Sequence, residues 1–165
     1  VSSGTVTGWM KIDSIWYLFN EKGIMLTGWQ FVNGVWYYLD SSTGVMQTGW
    51  LELDNRWYYF YSWGGMAKGW VLDNNIWYYL DPGDGAMQTG WLELDDGWYY
   101  FYSWGGMAKD WVLHNDVWYY MTDWGNMATG WIYDNNQWYY LYFWGGMAVN
   151  TTVDGYRLGK DGAML

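Results

Sequence analysis

The sequence predicts an all-β fold, a solenoid of stacked β-hairpins with about seven full repeats of 20–21 residues and a degenerate C-terminal repeat. Tryptophan recurs along the whole chain in steps of 20 or 21 residues. Each of these tryptophans is followed, at a distance of seven residues, by a second tryptophan, and turn-forming residues lie between the two. The flanking positions are rich in aromatic and β-branched residues, which favour strands. A fixed period of this length is typical of repeat proteins, in which each unit packs against its neighbours.

The composition excludes several other classes. Among 165 residues there are 18 Trp, 18 Tyr and 5 Phe, too aromatic a content for a disordered segment. No apolar run reaches the roughly 18 residues of a transmembrane helix, and no charged-then-apolar leader opens the sequence. Without cysteine there is no disulfide frame and no thiol nucleophile, and we expect no metal or cofactor. A formal charge of −10 disfavours nucleic acid and favours a cationic partner.

Each repeat has the same internal order of residues. A first tryptophan opens the unit, a second comes seven residues later and is followed by tyrosine, and a methionine preceded by glycine closes the unit. Residues 47–69 and 88–110 are near-copies at an offset of 41, which indicates duplication of pairs of units. The tail, residues 150–165, is a shortened eighth unit that ends near Met164.

The second unit shows most clearly why each repeat is a hairpin. Asn33-Gly34 separates two runs of β-forming residues, and Asn-Gly suits a two-residue turn in which both residues need positive φ. Such a turn pairs Trp29 with Tyr38 and places both on one face of the hairpin, with Trp36 beside them. Similar turn pairs stand at the same place in the other units, namely Asp13-Ser14, Asp54-Asn55, Asn74-Asn75, Asp95-Asp96, Asn115-Asp116 and Asn135-Asn136.

These residues resemble a known family. The run Thr48-Gly49-Trp50, followed by Trp57-Tyr58-Tyr59 and Gly65-Met66, is similar to the choline-binding repeats of streptococcal surface proteins and phage lysins. The resemblance covers the chain from Thr7 to its end. It implies a single module over residues 7–165, with residues 1–6 left from a linker. It further implies a secreted, non-catalytic module that holds a larger protein at the cell surface by binding choline or phosphocholine on teichoic and lipoteichoic acids.

Choline ends in a quaternary ammonium, which cannot donate hydrogen bonds and is attracted to aromatic faces. In the family, two Trp of one repeat and a Tyr and a Met of the next enclose it. The resemblance therefore implies six sites in this sequence, with the second Tyr of each pair chosen because it shares a face with the tryptophans: Trp9, Trp16, Tyr38, Met46; Trp29, Trp36, Tyr59, Met66; Trp50, Trp57, Tyr79, Met87; Trp70, Trp77, Tyr100, Met107; Trp91, Trp98, Tyr120, Met127; and Trp111, Trp118, Tyr140, Met147.

Some residues fit more than one hypothesis. Four units carry an extra tryptophan in the loop before the methionine, at Trp63, Trp104, Trp124 and Trp144. Three hypotheses are open for them: the rings pack on neighbouring loops, they add a wall to an adjoining site or plug it, or they form an exposed strip for self-association. The only histidine, His114, precedes a turn and is interpreted as a surface residue. A glucan-binding repeat module remains the main alternative function.

Overall fold

The computed structural model describes residues 4–165; the first three residues of the predicted linker lie outside the described part. The predicted all-β series of hairpins is confirmed. In chain order the strands are β1 Gly8–Ile12, β2 Ile15–Phe19, β3 Gly28–Val32, β4 Val35–Leu39, β5 Gly49–Leu53, β6 Arg56–Phe60, β7 Gly69–Asp73, β8 Ile76–Leu80, β9 Gly90–Leu94, β10 Gly97–Phe101, β11 Asp110–His114, β12 Val117–Met121, β13 Gly130–Asp134, β14 Gln137–Leu141, β15 Thr152–Val153 and β16 Tyr156–Arg157.

Within residues 4–165, consecutive strands pair into eight two-stranded sheets, so each repeat is one hairpin. The predicted register is confirmed in the second hairpin, where Trp29 lies opposite Tyr38 and Val32 opposite Val35. Its turn is of the predicted kind, because Asn33 has φ of 50° and Gly34 has φ of 82°. The two-residue turns of the other hairpins also fall at the predicted positions.

The chain divides into two compact units, Val1–Leu72 with Tyr79–Met87 and Asp73–Tyr78 with Gln88–Leu165. Inside each unit, one recurring backbone hydrogen bond joins successive hairpins. From the second repeat onward, the amide of the closing methionine donates a hydrogen bond to the carbonyl of the second tryptophan in the preceding hairpin. The donor–acceptor pairs are Met46–Trp16, Met66–Trp36 and Met87–Trp57 in the first unit, and Met107–Trp77, Met127–Trp98, Met147–Trp118 and Met164–Trp138 in the second, at 2.7–3.0 Å.

Among the described residues, six of the seven largest fully buried side chains directly follow a Tyr-Tyr pair, and none of the seven is a tryptophan. Leu39, Phe60 and Leu80 in the first unit are fully buried, as are Phe101, Met121 and Leu141 in the second. These side chains come at the end of each second strand, where a short bridge to the methionine adds a third backbone segment to the hairpin. Burial of these apolar side chains therefore supplies much of the stability of the repeats.

Glycines in the closing loops allow the methionines to pack closely. Gly85 has φ of 82°, and a Cβ there would lie 2.6 Å from the sulfur of Met66. Met66 is itself buried beside Tyr58, Phe60 and Ala86. Gly85 is thus required both for its left-handed backbone and for the space that Met66 fills.

We predict that Gly85→Ala lowers the free energy of unfolding more than Gly69→Ala does. Gly69 has a similar φ of 71°, but a Cβ there would meet nothing within 4 Å. The control should lose about 1–2 kcal/mol from backbone strain alone. Gly85→Ala should lose a further 1–3 kcal/mol, roughly, because Met66 must move. Urea unfolding followed by tryptophan fluorescence measures both, and equal losses would show that the Met66 contact is unimportant.

Candidate functional site

Cavities between consecutive hairpins are lined by two tryptophans of one hairpin and a tyrosine and a methionine of the next. The cavity lined by Trp29, Trp36, Tyr58 and Met66 has a volume of about 450 Å³. In the second unit, Trp91, Trp98, Tyr119 and Met127 line one of about 350 Å³, and Trp131, Trp138, Tyr156 and Met164 line one of about 400 Å³. The same four kinds of side chain thus meet in both units.

The strand register produces the two tryptophan walls. Trp29 and Trp36 lie on the same face of the β3–β4 hairpin, with ring centroids 6.1 Å apart and planes at 90°. The next hairpin adds Tyr58, whose ring centroid is 5.0 Å from that of Trp29. The methionine is fixed by its backbone, since the Met66 amide donates to the Trp36 carbonyl at 2.8 Å. Three aromatic rings and one thioether therefore surround the space.

In four of the pairs the first tyrosine, and not the second tyrosine that the face argument selects, lies against the preceding tryptophans. Stacked hairpins put opposite faces in contact, so a tyrosine on the tryptophan face points away from the preceding hairpin. The first tyrosines Tyr37, Tyr58, Tyr119 and Tyr139 lie 4.8–5.0 Å, between ring centroids, from Trp9, Trp29, Trp91 and Trp111, respectively. The second tyrosines Tyr38, Tyr59, Tyr79, Tyr100, Tyr120 and Tyr140 instead pack at 5.0–5.3 Å on Trp29, Trp50, Trp70, Trp91, Trp111 and Trp131 of their own hairpins.

The other predicted groups are brought together to different extents. At the first group, Trp9 and Trp16 stand edge to face with centroids 6.5 Å apart, and the Met46 amide bonds to the Trp16 carbonyl. The sixth group is similar, with Trp111 and Trp118 6.4 Å apart and Met147 bonded to Trp118. In the third and fourth groups the methionine is joined to the second tryptophan by the same backbone bond, in the pairs Met87–Trp57 and Met107–Trp77.

A seventh group forms at Trp131 and Trp138, which the six sites implied by the resemblance leave out because Tyr156-Arg157-Leu158 replaces Trp-Tyr-Tyr in the last unit. In the shortened last hairpin, Tyr156 directly follows the turn, yet its ring centroid lies 5.7 Å from that of Trp131. Met164 completes the group, because its backbone amide donates a hydrogen bond to the Trp138 carbonyl at 2.9 Å. The available signal was Gly162 two residues before Met164, which repeats the closing pattern of the full units.

Residues at the turns also contact the tryptophans. The Trp111 indole N–H donates to Asp134 at 3.0 Å, and that of Trp131 donates to Asp154 at 2.8 Å. His114 occupies the position of Asp134 one hairpin earlier and lies with its ring centroid 6.1 Å from that of Trp91. These contacts add to the turn and surface roles predicted from the sequence, because they orient indole rings at the cavities.

One cavity has a charged group at its edge. Asp84 lines the Trp29–Trp36 cavity together with Gly83. The Ala86 amide, followed by the Arg56 side chain, lowers the pKa of the Asp84 carboxyl by hydrogen bonding. Asp84 is therefore a carboxylate at neutral pH, and Arg56 forms an ion pair with it at 2.5 Å.

The cavities stay open on one side. The second tryptophan of each hairpin remains about 40% exposed, as for Trp36 at 38% and Trp98 at 41%. Over residues 4–165, no cluster of three or more acidic, histidine or cysteine side chains could hold a metal ion. Within the same residues, no helix is long and apolar enough to cross a membrane. The cavities thus present aromatic faces to solvent, which suits a cation with an apolar surface.

Comparisons with known proteins define the class. The family described as "Choline-binding repeat" matches residues 6–48 and 47–89, and the family described as "Putative cell wall binding repeat" matches residues 89–107, 109–127 and 129–147. The chain belongs to the choline-binding repeat family and is a module of such repeats. No curated protein sequence matches this chain significantly.

Several solved structures are similar to this chain. CbpJ from Streptococcus pneumoniae TIGR4 is 44% identical over 97% of this chain, with a TM-score of 0.92, and the match covers 58% of CbpJ. The choline-binding domain of CbpL from Streptococcus pneumoniae is 33% identical over 98% of both chains, with a TM-score of 0.65. A pneumococcal cell wall endolysin from phage Cp-1, solved in complex with choline, is 35% identical over 78% of this chain and 38% of its own, with a TM-score of 0.54. The chain thus spans little more than half of the CbpJ chain.

Proposed function

We propose that this chain is a non-catalytic attachment module that binds choline of teichoic and lipoteichoic acids in the cavities between consecutive hairpins. The observation that carries the proposal is the recurring group of two tryptophans, one tyrosine and one methionine, seen in full at three cavities. The module would hold a secreted protein at the bacterial cell surface. The choline complex of the phage Cp-1 endolysin, which is similar over 78% of this chain, supports the same ligand.

The chemistry of the cavity matches a quaternary ammonium. Such a cation donates no hydrogen bonds, so it gains from aromatic faces and loses little where polar partners are lacking. A sugar, by contrast, needs hydrogen-bonding partners around a stacking ring. The chain's formal charge of −10 also attracts a cation over long range.

The proposed sites include the first tyrosine of a pair, which contacts the preceding tryptophans, and not the second. At each site two tryptophans belong to one hairpin, and the first tyrosine and the methionine belong to the next. The five sites whose tyrosine contact is established are Trp9, Trp16, Tyr37, Met46; Trp29, Trp36, Tyr58, Met66; Trp91, Trp98, Tyr119, Met127; Trp111, Trp118, Tyr139, Met147; and Trp131, Trp138, Tyr156, Met164.

Each site alone is weak. Three aromatic faces contribute about 0.5–2 kcal/mol each, a few kcal/mol in total. A dissociation constant of about 1 mM corresponds to roughly 4 kcal/mol. A polymer that carries many cholines engages several sites at once, and such linkage raises affinity by on the order of 10²–10⁴. Repetition therefore turns weak sites into a firm but reversible attachment.

We predict that the chain is retained on a resin bearing tertiary or quaternary amines and is released by free choline. Release by choline, but not by sodium chloride at the same ionic strength, separates cation–aromatic binding from simple ion exchange on the acidic chain. A dextran resin is the matched test for the glucan alternative. Retention on dextran without retention on the amine resin would overturn the proposal.

We also predict that Tyr119→Leu weakens choline binding at the Trp91–Trp98 cavity, whereas Tyr120→Leu leaves it nearly unchanged. Tyr119 lines this cavity, while Tyr120 packs on Trp111 of its own hairpin. Loss of one aromatic face at about 0.5–2 kcal/mol should raise the dissociation constant roughly 2- to 30-fold.

The measurement is a choline titration of protein labelled with 5-fluorotryptophan. The ¹⁹F resonances of Trp91 and Trp98 are assigned by single Trp→Phe substitutions. Circular dichroism verifies that both leucine variants are folded. A larger effect of Tyr120→Leu at this cavity would contradict the geometry.

A further inference from the structure

Three of the four extra tryptophans lie in the same local frame. Trp144 stacks on Tyr142 with ring centroids 5.7 Å apart and planes at 17°. Trp63 on Tyr61 and Trp104 on Tyr102 have the same separation, with planes at 14° and 13°. Each indole also lies over a glycine two residues later, where a Cβ would overlap the ring: Gly65, Gly106 and Gly146. The stacking tyrosine and the glycine together fix where the indole points.

Trp124 lacks both of these supports and adopts a different position. Thr122 stands where the other loops have tyrosine, and Asn126 stands where they have the glycine. Trp124 is 85% exposed, compared with 46% for Trp144. The stacking tyrosine and the glycine, rather than the tryptophan itself, therefore determine that the indole ring points toward the cavity.

The directed ring reaches a cavity formed two repeats earlier. Trp144, with its neighbour Phe143, lines the same cavity as Trp91, Trp98, Tyr119 and Met127. Its ring meets that of Tyr119 edge to face at 6.2 Å and 76°. Three consecutive hairpins thus contribute to one site.

The same arrangement occurs at the first group in the other unit. Trp63 meets Tyr37 at 6.1 Å and 76°, nearly the geometry of Trp144 with Tyr119. Tyr37 in turn lies 4.8 Å from Trp9, between ring centroids. Trp63 therefore has the same relation to the Trp9–Trp16 group that Trp144 has to the Trp91–Trp98 cavity.

The Trp29–Trp36 cavity is different at this place. The loop two repeats further along the chain lines this cavity with Gly83 and Asp84, and not with an aromatic ring. Asp84 is held by Arg56, and Lys68 donates to the Gly83 carbonyl at 2.7 Å. This site is lined by fewer aromatic side chains and bears charged groups at its edge.

We propose that Trp63 and Trp144 are additional ligand-binding residues, each forming a further aromatic wall, so that the module has two classes of choline site. The closed class, at Trp9–Trp16 and Trp91–Trp98, binds choline more tightly than the open class at Trp29–Trp36. This inference rests on the proposed function, because it concerns the same ligand in the same cavities.

The test compares Trp144→Leu with Trp124→Leu. Both replace a loop tryptophan by an apolar side chain, but only Trp144 lines the Trp91–Trp98 cavity. Choline chloride is titrated into the full chain labelled with 5-fluorotryptophan, with separate resonances followed for Trp98 and Trp36. We expect Trp144→Leu to raise the dissociation constant at Trp98 about two- to fivefold, the loss of one partly exposed cation–π contact. Trp124→Leu should change it less than 1.5-fold or so.

A second variant keeps every aromatic residue. Gly146→Ala places a methyl group where the Trp144 ring lies, so the ring must move outward, as Trp124 does beside Asn126. It should weaken binding at Trp98 to the same extent as Trp144→Leu and leave Trp36 unchanged.

Different failures are distinguishable. If choline shifts neither the Trp98 nor the Trp36 resonance in the unmodified chain, the proposed function is wrong and the inference is lost with it. If both respond but Trp144→Leu leaves the Trp98 affinity unchanged, Trp144 is only packing on its neighbours. Tighter binding in that variant would show that Trp144 plugs the cavity. Either of the last two results overturns the inference and leaves the proposed function standing.

Discussion

The backbone hydrogen bond from the closing methionine of a repeat to a tryptophan carbonyl of the preceding hairpin is the interaction on which the rest of the structure depends. A single two-stranded hairpin is marginal in water, so each repeat needs its neighbour. Because donor and acceptor are main-chain atoms, the bond keeps the same length, 2.7–3.0 Å, although the loops differ in sequence. It also places the methionine side chain next to the tryptophan, which makes one edge of the cavity a consequence of stacking.

On the proposed function, stability and binding depend on different positions of the same repeat. The residue after the Tyr-Tyr pair is dry, as Leu39 and Phe101 show, and its burial favours folding. The second tryptophan is not among the buried core residues and keeps about 40% of its surface exposed. Leaving so large a ring in contact with water forgoes part of its hydrophobic stabilisation. That cost is understandable if the ring face serves a ligand.

The local features were predictable from the sequence, and the non-local ones were not. Asn33-Gly34 determines its own turn and register, because both depend only on adjacent residues. The two tryptophans of a hairpin share a face because of their fixed spacing. The methionine of the next repeat is implied only by the resemblance to the family. The choice between Tyr58 and Tyr59 depends instead on which face of a hairpin meets its predecessor, and the strand alternation alone is compatible with either.

Two further features depend on contacts between repeats that the repeat spacing alone does not specify. Tyr156 reaches Trp131 from a hairpin with shorter strands, so its position in the sequence does not align with the other tyrosines. The contact between Trp63 and Tyr37 joins a loop to a strand of the preceding hairpin, 26 residues away in the sequence. Only the stacking of successive repeats brings such residues together.

The extra tryptophans follow the duplication of paired repeats. Trp63 and Trp104 occupy equivalent places in the near-identical segments 47–69 and 88–110, and Trp144 follows after a further 40 residues. The intervening loops contain Asp81-Pro82-Gly83-Asp84 or the unsupported Trp124. Duplicating a pair therefore copies one loop that directs a ring inward and one that does not. If the module has the two classes of site proposed above, a polymer that carries cholines would meet tight and weak sites along the chain. The tight sites would then maintain attachment while the weak ones exchange, since avidity needs only some sites to be occupied at any moment.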